Sequence, residues 1–280
     1  MFNRFTLLLL VGIISVSAKA QMDSYVHTGE FGISTGVAHY YGDLNTRGAI
    51  DRPKMAAGIF FRKQISNYIG FKVSANYARL GYSDIHSRNE TQRRRNLSFN
   101  SDVYELGISG DFNFYKFMPG WEGYNFTPYV SLGVGIFSYD PYAFLGGEKI
   151  YLREIGTEGQ GSAAYPDRAI YGTTAVSIPL GVGFKYALSE NINFFGELSY
   201  RFTNTDFLDD VSGTYAPDAF PSLPNGLPST AFLLQDRSYE TGTSIGIKGR
   251  QRGNSLQKDA FVTLQFGVSF NMSSYRCPRN

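Results

Sequence analysis

The sequence predicts an all-β fold: an eight-stranded antiparallel transmembrane β-barrel with four long extracellular loops and short periplasmic turns. Three observations support this prediction. Eight segments alternate apolar and polar residues, which is typical of β-strands with two unlike faces. The connectors between the segments are alternately long and short. Nearly all the charged residues within the segments lie on the polar face.

The first half of the chain contains four of these segments, at 30–38, 55–63, 68–77 and 103–115. Their apolar faces carry Phe31, Ile33, Val37, Ile59, Phe61, Ile69, Phe71, Val73, Tyr77, Tyr104, Leu106, Ile108, Phe112 and Phe114. Mostly glycine, small polar residues and charged residues fill the opposite faces. A strand of a soluble sandwich turns its apolar face inward, whereas a membrane barrel turns it toward lipid. Alternation alone is compatible with both.

The second half contains the other four segments, at 126–137, 176–186, 191–203 and 261–272. Their apolar faces carry Val130, Leu132, Val134, Ile136, Ile178, Leu180, Val182, Phe184, Tyr186, Ile192, Phe194, Leu198, Tyr200, Phe202, Val262, Leu264, Phe266, Val268, Phe270 and Met272. Most segments are about as long as the roughly 9–11 residues with which a tilted strand crosses a membrane.

The connector lengths favour the membrane barrel over the sandwich. Short connectors lie at 64–67, 116–125 and 187–190, and long ones at 39–54, 81–102, 138–175 and 204–260. Bacterial barrels have short periplasmic turns and long extracellular loops. A sandwich has no reason to place all its long loops at one end.

The charged residues within the segments predict what fills the barrel. Those on the polar face are Glu30, Arg62, Lys72, Glu105, Asp111, Lys185, Glu197 and Arg201. A lysine or arginine facing lipid near the midplane would cost about 2–4 kcal/mol, so these residues are expected inside. The interior of an eight-stranded barrel is narrow enough for side chains to fill. Four acids and four bases therefore predict a plugged lumen rather than a pore.

Residues 1–20 match a secretory signal peptide, with Arg4, an apolar run and the cleavage pattern Ala18-Lys-Ala20. The barrel is then expected over 21–272, in the bacterial outer membrane, with a periplasmic tail at 273–280. A net charge of +2 without a basic face argues against a nucleic-acid partner. The single cysteine, Cys277, excludes an intramolecular disulfide.

Few residues suggest catalysis. His39 and Asp43 could face each other at the extracellular rim, as in a lipid A-modifying enzyme, although polar groups that fix a loop fit as well. Asp206, Asp209 and Asp210 offer oxygen ligands for Ca²⁺, but aspartates near Gly213 also favour a turn. We predict no catalytic residue, metal or cofactor.

Two loops have features of their own. Arg88 and Arg93-Arg-Arg95 make the second long loop basic, so it is either a solvated loop or a contact for lipopolysaccharide phosphates. The last long loop contains Pro217, Pro221, Pro224 and Pro228 with little alternation. It is therefore expected to be irregular and could form a lid.

Several short motifs occur together and in order along the chain. They are Tyr41-Gly-Asp-Leu-Asn45, Leu152-Arg-Glu-Ile-Gly-Thr-Glu-Gly-Gln-Gly161, the stretch Asp206 to Gly213, Arg252-Gly-Asn254 with Lys258-Asp259, and Tyr275-Arg-Cys-Pro278. With these motifs the chain resembles the PorG family, outer-membrane β-barrels of the Bacteroidetes type IX secretion system. The resemblance covers nearly the whole mature chain.

The resemblance implies a non-enzymatic role in secretion. Members of the family link the outer membrane to a periplasmic ring built from the PorK lipoprotein and PorN. The partner-binding residues are expected in the tail, at Tyr275, Arg276, Cys277 and Arg279, with outer-membrane lipids and lipopolysaccharide as further partners. Two alternatives remain open: a lipid A-modifying enzyme that uses His39 and Asp43, and a small non-specific porin.

Overall fold

The computed structural model describes residues 29–46, 48 and 50–272, and within them eight long strands form a closed antiparallel barrel. The strands are β1 (Gly29–Tyr41), β2 (Lys54–Gln64), β3 (Ile69–Ser83), β4 (Ser98–Asn113), β5 (Phe126–Ser138), β8 (Thr174–Ala187), β9 (Ile192–Thr203) and β10 (Ala260–Met272). β1 pairs with β10, and pairing of β3 with β4 completes the ring. The predicted fold class and strand number are confirmed.

The outer wall of the barrel carries the predicted apolar faces. Each residue in the following set is exposed: Phe31, Ile33, Ile59, Phe61, Phe71, Val73, Leu106, Ile108, Leu132, Val134, Ile178, Leu180, Leu198, Leu264, Phe266 and Phe270. An exposed band of this size around a closed barrel is what a bilayer requires. The protein is a membrane-spanning barrel of the bacterial outer-membrane type, as predicted.

Several strands continue beyond the predicted ends. On the extracellular side their inward face becomes apolar and their outward face polar, which is the reverse of the pattern within the membrane. In β3 the prediction ended at Tyr77, yet pairing with β4 continues to Ser83. In this extension the inward residues Leu80 and Tyr82 are buried and apolar, while the outward Arg79 is exposed. A rule that seeks apolar residues on the outside therefore ends these strands too early.

The long loops fold into a cap over the extracellular mouth. The third loop forms a hairpin of β6 (Tyr142–Leu145) and β7 (Glu148–Tyr151), which joins β4 at Asn100. Three short helices also lie in the loops: α1 (Glu90–Arg95), α2 (Leu152–Ile155) and α3 (Thr230–Gln235). None of the helices within the described ranges is long or apolar enough to cross a membrane.

The hydrophobic core of the protein lies in this cap and not in the membrane. Its buried members come from the extracellular parts of the strands and from the loops: Ala38, Tyr40, Leu44, Ala56, Ala78, Leu80, Tyr82, Leu97, Phe99, Val103, Phe137, Tyr139, Ala143, Leu152, Ala175, Leu208, Val211, Leu234 and Phe261. The last loop, which was predicted to be irregular, contributes Leu208, Val211 and Leu234. The interior of the barrel within the membrane is thus mostly polar, whereas the interior above it contains the hydrophobic core.

Candidate functional site

Paired charges fill the lumen, as the sequence predicted. Arg62 is fully buried and contacts Glu30 at 3.0 Å and Asp111 at 2.6 Å. Lys185 contacts the same Asp111 at 3.3 Å from another strand. Because each of these ions has an opposite charge in contact, the cost of taking it out of water is partly offset.

Two further ion pairs occupy the lumen nearer the cap. Lys72 and Glu197 are 2.7 Å apart, and the hydroxyl of Tyr129 donates to Glu197 at 2.7 Å. Arg201 contacts Glu105 at 2.8 Å. The cavity left beside these pairs has a volume of only about 40 Å³, which is room for a few water molecules and not for a solute path.

A second polar network lies in the cap, and Arg95 of α1 forms one of its centres. The guanidinium donates to both carboxylate oxygens of Asp84, at 2.7 and 2.9 Å. It also donates to the backbone carbonyls of Arg252 at 2.6 Å and Asp43 at 3.1 Å. One side chain therefore joins the first, second and last long loops.

Arg252 forms the other centre of the cap network. It donates to Glu158 at 3.0 Å and to the backbone carbonyl of Asp210 at 2.6 Å. Glu158 in turn accepts the backbone amides of Ser212 at 2.9 Å and Gly213 at 2.8 Å. Burial raises the pKa of Asp210 to about 6, although the neighbouring Arg252 opposes this shift.

Three buried side chains form hydrogen bonds with one another where the cap meets the barrel. The Tyr40 hydroxyl lies 2.5 Å from Asp209 and 3.0 Å from Asp259, and all three groups are buried. A phenol has one proton to donate, so satisfying both contacts requires a second proton on a carboxyl group. Burial, followed by the charge of Asp43, raises the pKa of Asp209 well above its usual value. Burial and Asp209 raise the pKa of Asp259 in the same way.

Four of the five motifs that carried the family resemblance lie within the described residues, and they meet in this cap. Asp43 of the first motif accepts the backbone amide of Asn254 at 2.7 Å. Between them, a β-carbon on Gly253 would lie 2.4 Å from the Asp43 carboxylate, so only glycine allows this approach. Glu158, Asp209 and Asp259 of the other motifs belong to the contacts described above. The motifs thus form one extracellular structure, although they are distant in sequence.

The structure places His39 and Asp43 in separate interactions. His39 lies within β1 rather than in the loop, is buried, and its Nε2 contacts the side-chain amide of Asn45 at 3.0 Å. The Asp43 carboxylate is directed at the backbone of the last loop. These contacts correspond to the interpretation in which His39 and Asp43 are polar groups that fix the first long loop, and not to a catalytic pair.

The three aspartates proposed as Ca²⁺ ligands also point to different partners. Asp206 accepts from the Ser212 hydroxyl at 2.6 Å, Asp209 from Tyr40, and Asp210 from the Tyr171 hydroxyl at 2.6 Å. Within the described part of the chain, no group of three His, Cys, Asp or Glu residues is arranged to hold a metal ion. The aspartates shape the cap, as the turn alternative predicted.

The basic run of the second loop is mostly an internal clamp, which leaves only part of it for a contact with lipopolysaccharide. Arg95 is buried against Asp84. Arg94 donates to the Ser238 carbonyl at 2.8 Å and to the Thr241 hydroxyl at 2.6 Å. Of the four arginines, only Arg88 and Arg93 are exposed. The sequence could not distinguish these four residues, because their partners lie in other loops.

The leader at 1–20 and the tail residues Tyr275, Arg276, Cys277 and Arg279 lie outside the described residues. Those predictions therefore stay predictions. β10 ends at Met272, at the end of the barrel that carries the short turns. The cap network, which no sequence pattern marked as a unit, lies at the opposite end of the barrel.

Comparison with solved structures shows similar outer-membrane proteins, among them the following three. Neisserial surface protein A is 12% identical with a TM-score of 0.43, covering 89% of this chain and 100% of that chain. A major outer membrane protein from Thermus thermophilus is 11% identical with a TM-score of 0.40, covering 87% and 99%. The attachment invasion locus protein Ail of Yersinia pestis is 13% identical with a TM-score of 0.37, covering 87% and 98%.

No curated protein matches the sequence. A family model does match, over residues 4–226, and its description is "Domain of unknown function (DUF6089)". The match spans seven of the eight barrel strands, and it contains in full three of the four motifs that meet in the cap. The chain therefore belongs to the DUF6089 family.

Proposed function

We propose that this protein is a non-enzymatic, non-conducting anchor in the outer membrane for a type IX secretion system. The observation that carries the anchoring role is the double seal of the barrel, with paired charges in the lumen and a packed cap above them. A barrel whose lumen is filled and whose mouth is covered does not offer a path for solutes. The secretion system itself is inferred from the motifs at 41–45, 152–161, 206–213 and 252–259.

The proposed partner is the periplasmic ring of the PorK and PorN type. β10 delivers the chain to the periplasmic end at Met272, and the tail with Tyr275, Arg276, Cys277 and Arg279 continues from there. Arg276 and Arg279 would pair with acidic groups of a ring protein, and Tyr275 would supply an aromatic anchor. The cap would keep the extracellular side closed while the ring is bound.

Removal of the tail tests this proposal. A chain that ends at Met272 and the full-length chain are each purified from intact outer membranes after cross-linking, and the ring proteins recovered with them are measured. We expect the shortened chain to fold into the barrel but to recover much less of the ring. A full-length chain in which Lys63 is changed to Gln controls for loss of a positive charge near the same membrane face. Equal recovery by the shortened chain would contradict the tail as the docking site.

Three measurements on the whole protein separate the proposal from its alternatives. A strain that lacks the protein should fail to secrete its cargo, and normal secretion would refute the role in secretion. The purified barrel should show no conductance in planar bilayers, because its lumen is filled. Lipid A from the deletion strain should be unchanged by mass spectrometry, and an altered acylation pattern would support the enzyme instead.

A further inference from the structure

The outer wall of the barrel carries two adjoining depressions across β2, β3 and β4. The upper one, a basic pocket of about 350 Å³, is lined by Arg52, Lys54, Gly81, His86 and Asn100 among others. The lower one, an apolar groove of about 770 Å³, lies within the lipid-facing band. We name the two together the β2–β4 wall site.

The groove follows from the order of side chains in the sheet. Along one row of paired positions stand Thr35, Ala57, Tyr77, Tyr104 and Ser138. The next row toward the periplasm has Ile33, Ile59, Ala75, Leu106 and Ile136. Ala57 and Ala75 are small residues between large ones. They leave a depression that an extended hydrocarbon chain fits.

The pocket above the groove presents two cationic groups. Arg52 donates to Nδ1 of His86 at 3.1 Å, and Lys54 donates to the side-chain oxygen of Asn100 at 2.6 Å. A β-carbon on Gly81 would lie 3.0 Å from Lys54 Nζ and 2.7 Å from the Phe99 carbonyl oxygen, so glycine makes room for the lysine. Both cations therefore face the same surface depression.

The surrounding groups leave this pocket positive. Burial and then the Arg52 guanidinium lower the pKa of His86, so the imidazole is neutral at pH 7 and accepts from the arginine. The Asp51 carboxylate, hydrogen-bonded to Tyr82, offsets part of the positive charge beside His86. Further down the wall, Arg79 is paired with Asp102 at 3.0 Å. The positive charge that faces outward in the pocket thus comes from Arg52 and Lys54.

The separation between the depressions fits one amphipathic molecule. Lys54 and Ala57 are three residues apart on β2, and Gly81 and Tyr77 are four apart on β3. At about 3.3 Å per residue, this places the cations roughly 10–13 Å from the groove along the strands. Tyr77 and Tyr104 line the upper end of the groove, where barrels carry an aromatic girdle at the membrane surface.

We propose that the β2–β4 wall site binds a phosphorylated, acylated glycolipid of the outer leaflet, as in lipid A. Its phosphate lies against Arg52 and Lys54, and one acyl chain lies in the groove over Ala57 and Ala75. This site is independent of the ring partner proposed above. It also differs from the arginine run of the second loop, whose side chains Arg94 and Arg95 are engaged within the cap.

The phosphate contact is tested with the full chain in nanodiscs of phosphatidylcholine that contain a small fraction of diphosphoryl lipid A. Bound lipid A is measured by native mass spectrometry. The double variant Arg52→Gln with Lys54→Gln should bind roughly tenfold less, as expected for the loss of a charge-assisted hydrogen bond. Arg93→Gln, which removes an exposed charge from the same side of the membrane, should bind as the unchanged protein does. Equal binding by the double variant, or equal loss in Arg93→Gln, overturns the proposal.

Two further arms identify the source of the phosphate and check folding. Inorganic phosphate should not displace lipid A, because it has no chain for the groove, and displacement at equal concentration would indicate a simple anion site. Ala57→Phe, which fills the groove, should weaken lipid A binding, whereas Gly110→Phe on the lipid face outside the groove should not. No effect of Ala57→Phe overturns the acyl-chain contact. Heat-dependent gel mobility of every variant shows that the barrel has formed.

Discussion

The lumen within the membrane and the cap above it both bury many polar groups, but they balance charge in different ways. The predicted lumen charges are four acids and four bases, and each basic side chain contacts an acid. In the described part of the cap, two buried arginines, Arg95 and Arg252, stand against eight buried acids. These acids are Asp43, Asp84, Glu158, Asp206, Asp209, Asp210, Asp236 and Asp259.

The difference follows from what surrounds each network. No water can reach the lumen charges from the lipid side, so each ion needs an opposite partner. In the cap, backbone amides at the turns of the loops supply much of the compensation, as at Glu158 and Asp43. Protonation of carboxyl groups compensates the remaining buried negative charge, as at Tyr40, Asp209 and Asp259. We therefore expect the lumen to resist changes of pH and the cap to respond to them.

Loss of Arg62 should have the largest effect. Arg62→Met removes the cation that contacts both Glu30 and Asp111, and Lys185 then remains as the other cation on Asp111. Breaking a buried pair costs about 3–5 kcal/mol, and here one side chain serves two acids. Denaturant unfolding of the refolded barrel measures the change. Lys63→Met, an exposed neighbour, should unfold close to the unchanged protein, and equal destabilisation of both variants would contradict the comparison.

Loss of Arg252 should open the cap and leave the barrel in place. Arg252→Met removes the partner of Glu158 and the donor to the Asp210 carbonyl. The expected cost is also about 3 kcal/mol, but it falls on the loops because no lumen contact is involved. Protease cleavage within 204–259 should accelerate while the barrel stays resistant. Arg250→Met, two residues earlier and exposed, is the control and should be cleaved like the parent.

Cap stability should fall as pH rises. The carboxyls of Asp206 and Asp210 have pKa values raised by burial from 3.8 to about 6. The folded cap therefore binds protons more tightly than the unfolded loops, and its stabilisation is full below pH about 4 and declines as pH rises through 6. The raised pKa values of Asp209 and Asp259 extend the decline to higher pH.

Hydrogen exchange at pH 5 and pH 8, corrected for intrinsic rates, checks this dependence. Amides of the loops at 84–97 and 204–259 should lose protection at pH 8, whereas strand amides should not. Asp209→Asn should reduce the difference in loop protection between pH 5 and pH 8, because an amide at this position does not have to bind a proton to be buried without charge. Asp218→Asn, an exposed acid of the same loop, should keep it. Equal pH dependence in strands and loops would remove the distinction between the two regions.

The smallest effect is expected at Arg93. Its exposed side chain lies two positions from Arg95, and both substitutions to Gln remove the same charge. Arg93→Gln should change the free energy of unfolding by no more than about 0.5 kcal/mol. Arg95→Gln should lower cap protection measurably, because Asp84 loses a two-point contact. Similar thermal and proteolytic behaviour of the two variants would show that the arginine run acts only by its net charge.

Much of the barrel could be predicted because its signals are local. The even–odd alternation from Phe261 to Met272 assigns each side chain to lipid or lumen without knowledge of the partner strand. The same holds for the charges at Arg62 and Lys185, whose inward orientation follows from the phase of their strands. The strand ends at Ser83 and Ser98 were missed, because the extracellular extension obeys the opposite polarity.

The cap could not be predicted, because its contacts join residues far apart in sequence. Tyr40 meets Asp209 across 169 positions, and Arg95 meets the Arg252 carbonyl across 157. Composition gave no sign that the proline-containing last loop packs into a core. The motifs marked many of the residues concerned, yet no spacing among them indicated a common location.

The sequence by itself thus determined the strand number, the faces, the side of the membrane that carries the long loops, and the filling of the lumen. Each of these depends on a period of two residues or on a connector length, which are properties of neighbouring residues. Only the tertiary structure decided that the long loops form the hydrophobic core, and that His39, the three aspartates and Arg95 stabilise it. The roles of these residues depend on which loops meet over the barrel mouth. Closure of the barrel brings those loops together, although they are distant in sequence.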